Sequence, residues 1–157
     1  MKIVLLVVGK TNDVWAKGAL GEYENRLKHY IPFQVEVIPD LKSTKNLTEE
    51  QIKAREAEAI LAWSKPGDLM VLLDENGEEF SSEGFAVLLQ RKMNAGIRNL
   101  VFVVGGPYGF APSVYAVCKE KVSLSKMTFS HQMIRVIFAE QLYRAMTILS
   151  NEPYHHP

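Results

Sequence analysis

The sequence contains very little cysteine: Cys118 is the only one among 157 residues, and a single thiol cannot form a disulfide bond within the chain. This composition favours a protein of the reducing cytoplasm. No apolar run reaches the length of a membrane span, and the six apolar residues after Lys2 are too few for a signal peptide. We therefore expect a cytoplasmic protein without membrane contact.

Net charge is also lacking, because 18 Lys and Arg residues balance 18 Asp and Glu residues. Proteins that bind free nucleic acid are usually basic, so a nucleic-acid partner of this chain would need a local patch. Ligand pairs of Cys, or of His at helical spacing, are absent as well. We therefore expect no zinc site and no other bound metal.

The length fits one domain over residues 1–157, in which strand-like and helix-like segments alternate. Short apolar runs predict strands at 2–8, 69–73, 100–104 and 122–125, and the alternating segment FQVEVI predicts a half-exposed strand near a sheet edge. Amphipathic spacing and capping residues predict helices near 13–30, 48–64, 81–95, 112–119 and 132–149, and residues 75–77 predict a turn. This order predicts an α/β fold with a mainly parallel sheet flanked by helices.

The strand at 100–104 runs directly into the glycine-rich segment GGPYG, at residues 105–109. Ligands of open α/β sheets bind beyond the carboxyl ends of the strands, so this segment is a candidate small-molecule site. It lacks the Gly-x-Gly-x-x-Gly spacing of a dinucleotide-binding loop, and no Walker lysine follows it. A simple tight turn without a ligand is the alternative interpretation.

Three segments distant in sequence fall at predicted strand ends: the pair Leu73-Asp74, residues 105–109 and residues 124–129. Parallel strands of one sheet would bring these ends to the same edge. The resulting pocket would have apolar walls, many backbone donors and acceptors, and little charge. Such a pocket suits an adenine and its ribose better than a triphosphate, although strand ends carry small polar residues in many proteins without a ligand.

The last predicted helix, at 132–149, is apolar nearly all round, which indicates burial on every side. In a domain of this size, such burial predicts packing against a second subunit. The helix also carries Glu140 and Arg144, four residues apart, with Arg135 nearby on its surface. Together with Tyr154 and His155, these residues form either a candidate site or an ordinary surface ion pair.

The chain closely resembles the ribosomal large subunit methyltransferase H family over essentially its whole length. The resemblance rests on VFVVGGPYGF at 101–110, SLSKMTFSHQMIRVIFAEQLYRA at 123–145 and NEPYHH at 151–156. Members of this family are SPOUT-class enzymes that transfer a methyl group from S-adenosylmethionine to N3 of a pseudouridine in 23S rRNA. The resemblance implies this function, this cofactor, a homodimer and a C-terminal trefoil knot. A net charge of zero fits an enzyme that docks on assembled ribosomes.

The resemblance also implies roles for individual residues. Cofactor binding is implied for Leu73, Gly105, Gly106, Gly109, Leu124, Ser125, Lys126, Met127, Thr128 and Phe129. RNA contact is implied for His131 and Arg135, and catalysis for Glu140, Arg144, Tyr154 and His155. Two positions depart from the family pattern, because Ser130 stands where Pro is common and His156 stands where a basic residue is common.

In such a reaction the protein mainly positions two reactants and accepts the proton that leaves N3. Glu140 or His155 would accept this proton, Arg144 would stabilise the imide anion, and Tyr154 would stack on the base. Two other functions are alternatives for this sequence: a non-catalytic ribosome-associated factor of the same fold, and a binding protein for a nucleotide such as ATP. The intact glycine-rich segment and polar helix stripe disfavour the first, and the missing Walker lysine disfavours the second.

Overall fold

The computed structural model describes residues 1–157, and its strands and helices alternate as the sequence predicts. The elements are β1 (Lys2–Val8), α1 (Val14–Leu27), β2 (Phe33–Ile38), α2 (Glu49–Trp63), β3 (Asp68–Glu79), α3 (Ser82–Asn94), β4 (Asn99–Val104), α4 (Pro112–Val117), β5 (Glu120–Ser123) and α5 (His131–Leu149). Helices α1 and α4 end slightly earlier than predicted. None of the five helices combines the length and the apolar character that a membrane span requires.

The five strands form one parallel sheet in the order β2-β1-β4-β3-β5. The predicted α/β fold is therefore confirmed, and β2 lies at an edge, as its alternating sequence predicts. Ile3 and Leu5 of β1 enter one apolar core, whereas Val4 and Leu6 enter the other. Side chains of α1, α3 and α5 complete the first core, and side chains of α2 and α4 complete the second. Helices thus cover both faces of the sheet.

Side-chain caps fix where the helices near the site begin. The backbone N–H of Gln51 donates to the Thr48 hydroxyl while the Gln51 side chain accepts from the Thr48 N–H, so the predicted capping box is confirmed. The backbone N–H of Met133 donates to the Ser130 hydroxyl at 3.2 Å. Helix α5 therefore starts at His131, one residue earlier than predicted, and Ser130 acts as its N-cap.

Strand β3 is longer than predicted, and residues 75–77 do not end it. Both Leu73 and Glu78 lie opposite Val122 of β5, so the residues between them bulge out of the ladder. The strand then continues to Glu79. The predicted turn is wrong because pairing with β5 resumes beyond it, and β5 accordingly begins two residues earlier than predicted.

Gly77 lies inside this bulge, against the backbone of β5. A Cβ at this position would lie 2.7 Å from the carbonyl carbon of Lys121 and 2.8 Å from the nitrogen of Val122. Backbone atoms cannot move aside as a flexible side chain can. Gly77→Ala should therefore lower the free energy of unfolding by about 1–3 kcal/mol, the usual cost of overpacking.

Gly18→Ala is the matched control, because nothing lies within 4 Å of a Cβ built on this exposed residue of α1. It should raise the free energy of unfolding by about 0.5–1 kcal/mol, since alanine favours the helix over glycine. Urea denaturation followed by circular dichroism measures both variants. An unchanged or raised free energy of unfolding in Gly77→Ala would contradict the close approach at this position.

Candidate active site

A cavity of about 650 Å³ opens at the carboxyl ends of the strands, where β4 ends and β3 bulges. Three segments supply most of its wall: residues 73–76 of β3, residues 104–110 at the end of β4 and beyond it, and residues 124–131 after β5 with the exception of Lys126. The three predicted strand ends therefore meet at one place. A cavity of this size is typical of a small-molecule site.

Most of the residues predicted to bind a cofactor line this cavity. They are Leu73, Gly105, Gly106, Gly109, Leu124, Ser125, Met127, Thr128 and Phe129. Lys126 is the exception, because its exposed side chain points toward Glu79, with 3.6 Å between the ammonium and a carboxylate oxygen. Tyr115 and Ile134 also line the cavity, although neither is among the predicted site residues. Ile134 follows His131 at helical spacing, which is a usable signal, whereas Tyr115 has none.

Side-chain hydrogen bonds join the cavity segments to one another. The Tyr115 hydroxyl donates to Asp74, and the Thr128 hydroxyl donates to Glu75 at 2.9 Å. Burial, followed by the bond to Asp74, raises the pKa of Tyr115, so this side chain stays a neutral phenol. The β3 bulge is thereby tied both to α4 and to the segment after β5. No group of three or more His, Cys, Asp or Glu side chains is placed to hold a metal ion.

The glycines of segment 105–109 have no side chains, so their backbone can approach neighbouring groups closely. Gly109 has a φ of +80°, and its N–H donates to the Gly106 carbonyl at 3.1 Å, which closes a tight turn. A Cβ on Gly105 would lie 3.2 Å from the Phe110 ring, and a Cβ on Gly106 would overlap the carboxylate of Glu56. The absence of side chains lets this backbone pack closely against Phe110 and Glu56, and all three glycines line the cavity.

The two residues with an implied RNA contact lie in different surroundings. His131 lines the cavity. Arg135 is only 1% exposed, and its guanidinium donates to the Val8 carbonyl and to the Thr11 hydroxyl, both at 3.0 Å. The expectation that Arg135 lies on the surface stripe with Glu140 is therefore wrong, because this part of α5 packs against the end of β1.

The four residues predicted to act in catalysis form one cluster at the other end of α5. Arg144 donates from Nε to Glu140 at 3.0 Å, and its Nη1 lies 3.2 Å from Nδ1 of His155. The guanidinium carbon also lies 4.8 Å from the centre of the Tyr154 ring. Arg144 therefore contacts all three of its predicted partners.

Glu83 of α3 completes this cluster, although it is not among the predicted site residues. Because arginine can only donate hydrogen bonds, Nδ1 of His155 must accept from Arg144. The proton of a neutral His155 then resides on Nε2, which lies 2.9 Å from Glu83 Oε1. Arg144 and Glu83 together thus fix the tautomer of His155, and no sequence signal joins Glu83 to His155 across 72 positions.

The C-terminal tail folds back to bring Tyr154 and His155 onto α5. Asn151 reverses the chain with a φ of +56°, and the Tyr30 hydroxyl donates to Glu152 at 2.5 Å. Tyr154 packs edge-on against Tyr143, with 4.8 Å between ring centres. The tail is thereby fixed to the segment that follows α1 and to α5.

One helix separates the cavity from the charged cluster. Ile134 lines the cavity and Arg144 belongs to the cluster, ten residues further along α5. At a rise of 1.5 Å per residue, this places the two positions about 15 Å apart along the helix axis. A base that touches Arg144 of this chain is therefore far from the cavity of the same chain.

The fold and the site define a class of protein that comparison with known sequences makes explicit. The family described as "Predicted SPOUT methyltransferase" matches residues 1–155, and the chain belongs to it. Ribosomal RNA large subunit methyltransferase H of Parabacteroides distasonis is 62% identical over 156 residues, and its counterparts in Phocaeicola vulgatus and Christiangramia forsetii are 60% and 56% identical. Each match covers 99% of both chains. Within the SPOUT methyltransferases, the chain is a member of the ribosomal RNA large subunit methyltransferase H family, as its sequence motifs indicate.

The surroundings of His131 generate a pH prediction. Burial lowers its pKa below the ordinary value of 6.5, and the positive charge of Arg135 lowers it further. Between the folded-state pKa and 6.5 the unfolded chain binds more protons, so the stability that this residue contributes is present above pH 6.5 and lost as the pH falls through the folded-state pKa. An NMR titration, with the signal assigned by its loss in His131→Gln, should give a midpoint below 6.5. A midpoint at or above 6.5 would contradict the half-buried placement of His131 beside Arg135.

Proposed function

We propose that this protein is an S-adenosylmethionine-dependent methyltransferase that modifies N3 of a pseudouridine in 23S rRNA, on assembled ribosomes in the cytoplasm. The observation that supports this proposal most directly is the arrangement of the predicted site residues. Nearly all of the predicted cofactor residues line one cavity, and the four predicted catalytic residues form one hydrogen-bonded cluster. Family membership and full-length relatives named as methyltransferases of large-subunit ribosomal RNA support the same function.

The residues around the cavity fit S-adenosylmethionine. Leu73, Leu124 and Phe129 offer apolar surface for an adenine ring, and the glycine-rich segment 105–109 offers backbone donors and acceptors. The carboxylates of the β3 bulge suit a ribose hydroxyl or an ammonium group. When bound, the cofactor supplies a methyl group on a positively charged sulfur, so the protein needs to position and desolvate rather than to activate it.

The charged cluster has the groups that an imide substrate requires. Arg144 contacts both candidate proton acceptors, Glu140 and His155, so a base that meets the guanidinium also meets an acceptor. The Arg144 guanidinium suits the negative charge that develops when N3 loses its proton. Burial raises the pKa of Tyr154 to about 12, so its ring stays a neutral surface on which a base can stack.

His131 and Arg135 have different places in this proposal. His131 lines the cavity and is the proposed RNA contact of the pair. Arg135 acts behind the wall, where it holds the end of β1 through Val8 and Thr11. Its role toward RNA is therefore the support of the cavity wall rather than direct contact.

A homodimer accounts for the 15 Å that separates the two parts of the site. Val14, Trp15 and Met133 leave apolar side chains exposed where α1 and α5 begin, and several other apolar residues of α5 are only half-buried. A second copy with its α5 antiparallel to the first would cover this surface and bring the Arg144 cluster of one copy to the cavity of the other. The trefoil knot belongs to the same proposal, in the C-terminal part of the chain that encloses the cavity.

Titration calorimetry followed by a transfer assay tests the function. The purified protein should bind S-adenosylmethionine, and with ribosomes that lack N3-methylpseudouridine it should add one methyl group, detected by mass spectrometry of the 23S rRNA. Binding of the cofactor without transfer to ribosomes would contradict this substrate. Absence of cofactor binding would favour a non-catalytic ribosome-associated factor, and binding of ATP instead would favour a nucleotide-binding protein.

Arg144→Ala separates the role of the charged cluster from that of the cavity. Methyl transfer should fall by roughly a hundredfold or more, because a donor that stabilises developing charge is lost. The affinity for S-adenosylmethionine should stay near that of the unchanged protein, because Arg144 does not line the cavity of its own chain and its proposed contact across the dimer is with the RNA base rather than with the cofactor. Arg91→Ala, at an exposed position of α3, is the control and should change neither quantity. Collapse of cofactor affinity in Arg144→Ala would show that Arg144 is structural.

A further inference from the structure

A buried carboxyl group lies directly behind the glycine-rich segment. Glu56 of α2 is only 5% exposed, and its Oε1 has no hydrogen-bond partner. Its carboxyl carbon lies 2.6 Å from the position that a Cβ of Gly106 would take. Gly106 itself lines the cavity, so its backbone lies between this carboxyl group and the cavity.

Such a group is unusual in a protein interior, because burial of a carboxylate without a partner is unfavourable. Burial raises the pKa of Glu56, and the negative charge of nearby Asp40 raises it further. Unpartnered buried ionisable groups occur preferentially at functional sites. Packing alone does not explain Glu56, because an apolar side chain would fill the same space without this cost.

The charges around Glu56 leave a negative excess beneath the cavity. Asp40 lies against Gly9 at the end of β1, and its negative charge acts on Arg135, whose Nε is also without a partner. His131, on the cavity side, favours its neutral form. With one guanidinium and two carboxyl groups, this cluster bears an excess of one negative charge when Glu56 is ionised.

We propose that Glu56 is a positioning residue that makes the cavity prefer a sulfonium cofactor over its neutral thioether product. This inference rests on the proposed function. Methyl transfer converts the sulfonium of S-adenosylmethionine into the uncharged sulfur of S-adenosylhomocysteine, while the adenosine and amino-acid parts are unchanged. A sulfonium bound beside Glu56 favours the ionised form of its carboxyl group, and this carboxylate in turn stabilises the substrate form while leaving the product form unaffected at the sulfur.

Other charged groups face the same cavity, and they differ from Glu56. Asp74 and Glu75 accept hydrogen bonds from Tyr115 and Thr128, and the Lys53 side chain lies at the cavity wall. These groups are present and unchanged in every variant of Glu56. A change in the preference between the two ligands on substitution of Glu56 therefore reports on its own carboxyl group.

The test is the ratio of the dissociation constants of S-adenosylhomocysteine and S-adenosylmethionine, measured by calorimetry on the full chain. Glu56→Gln keeps the shape of the side chain and removes its charge. The ratio should fall by about threefold to tenfold, mainly through weaker binding of S-adenosylmethionine. Glu58→Gln is the matched control, because Glu58 lies exposed on the same helix, and its ratio should match that of the unchanged protein.

A second pair of variants keeps the test decisive if Glu56→Gln does not fold. Glu56→Asp and Glu56→Asn both shorten the side chain and differ only in charge, so the aspartate should retain the higher ratio. Equal ratios for Glu56 and Glu56→Gln, or for Glu56→Asp and Glu56→Asn, would overturn the inference and leave Glu56 as a packing residue, as would parallel loss of both affinities. If the unchanged protein bound neither ligand, the proposed function itself would fail, and this inference with it.

Discussion

The parallel pairing of β3 with both β4 and β5 is the constraint on which the site depends. It directs three segments, distant in sequence, toward one region at the carboxyl ends of the strands, where the glycine-rich segment meets the β3 bulge. Gly77 permits this bulge because only a residue without a side chain fits against the β5 backbone. The cavity is thus a consequence of strand order and of close backbone packing, more than of any single binding side chain.

Helix α5 divides the chemistry into two parts. Its first turn closes the cavity, while its last turns carry the Arg144 cluster, to which the folded-back tail adds Tyr154 and His155. The helix is rigid, so the separation of the two parts is fixed within one chain. A second copy is the simplest way to unite them, and the exposed apolar residues near the helix start fit this arrangement.

Features set by local sequence were predictable, and features set by tertiary contact were not. Apolar runs and caps predicted the five strands, the capping box at Thr48 and the meeting of the strand ends, while motif resemblance supplied the Arg144 cluster. Arg135 looked like a surface residue because nothing near it in sequence shows that the end of β1 would bury it. Glu56 and Glu83 were missed for the same reason, since each gains its role from a segment far along the chain.

The central claim is that the cofactor binds where these strand ends meet. Hydrogen exchange of the full chain, measured by mass spectrometry with and without S-adenosylmethionine, tests it most directly. The account predicts slower exchange of backbone amides at 105–109 and 124–129 when the cofactor is present, with little change in the exposed parts of α2 and α3. Unchanged exchange in both segments, or protection confined to another part of the chain, would contradict it.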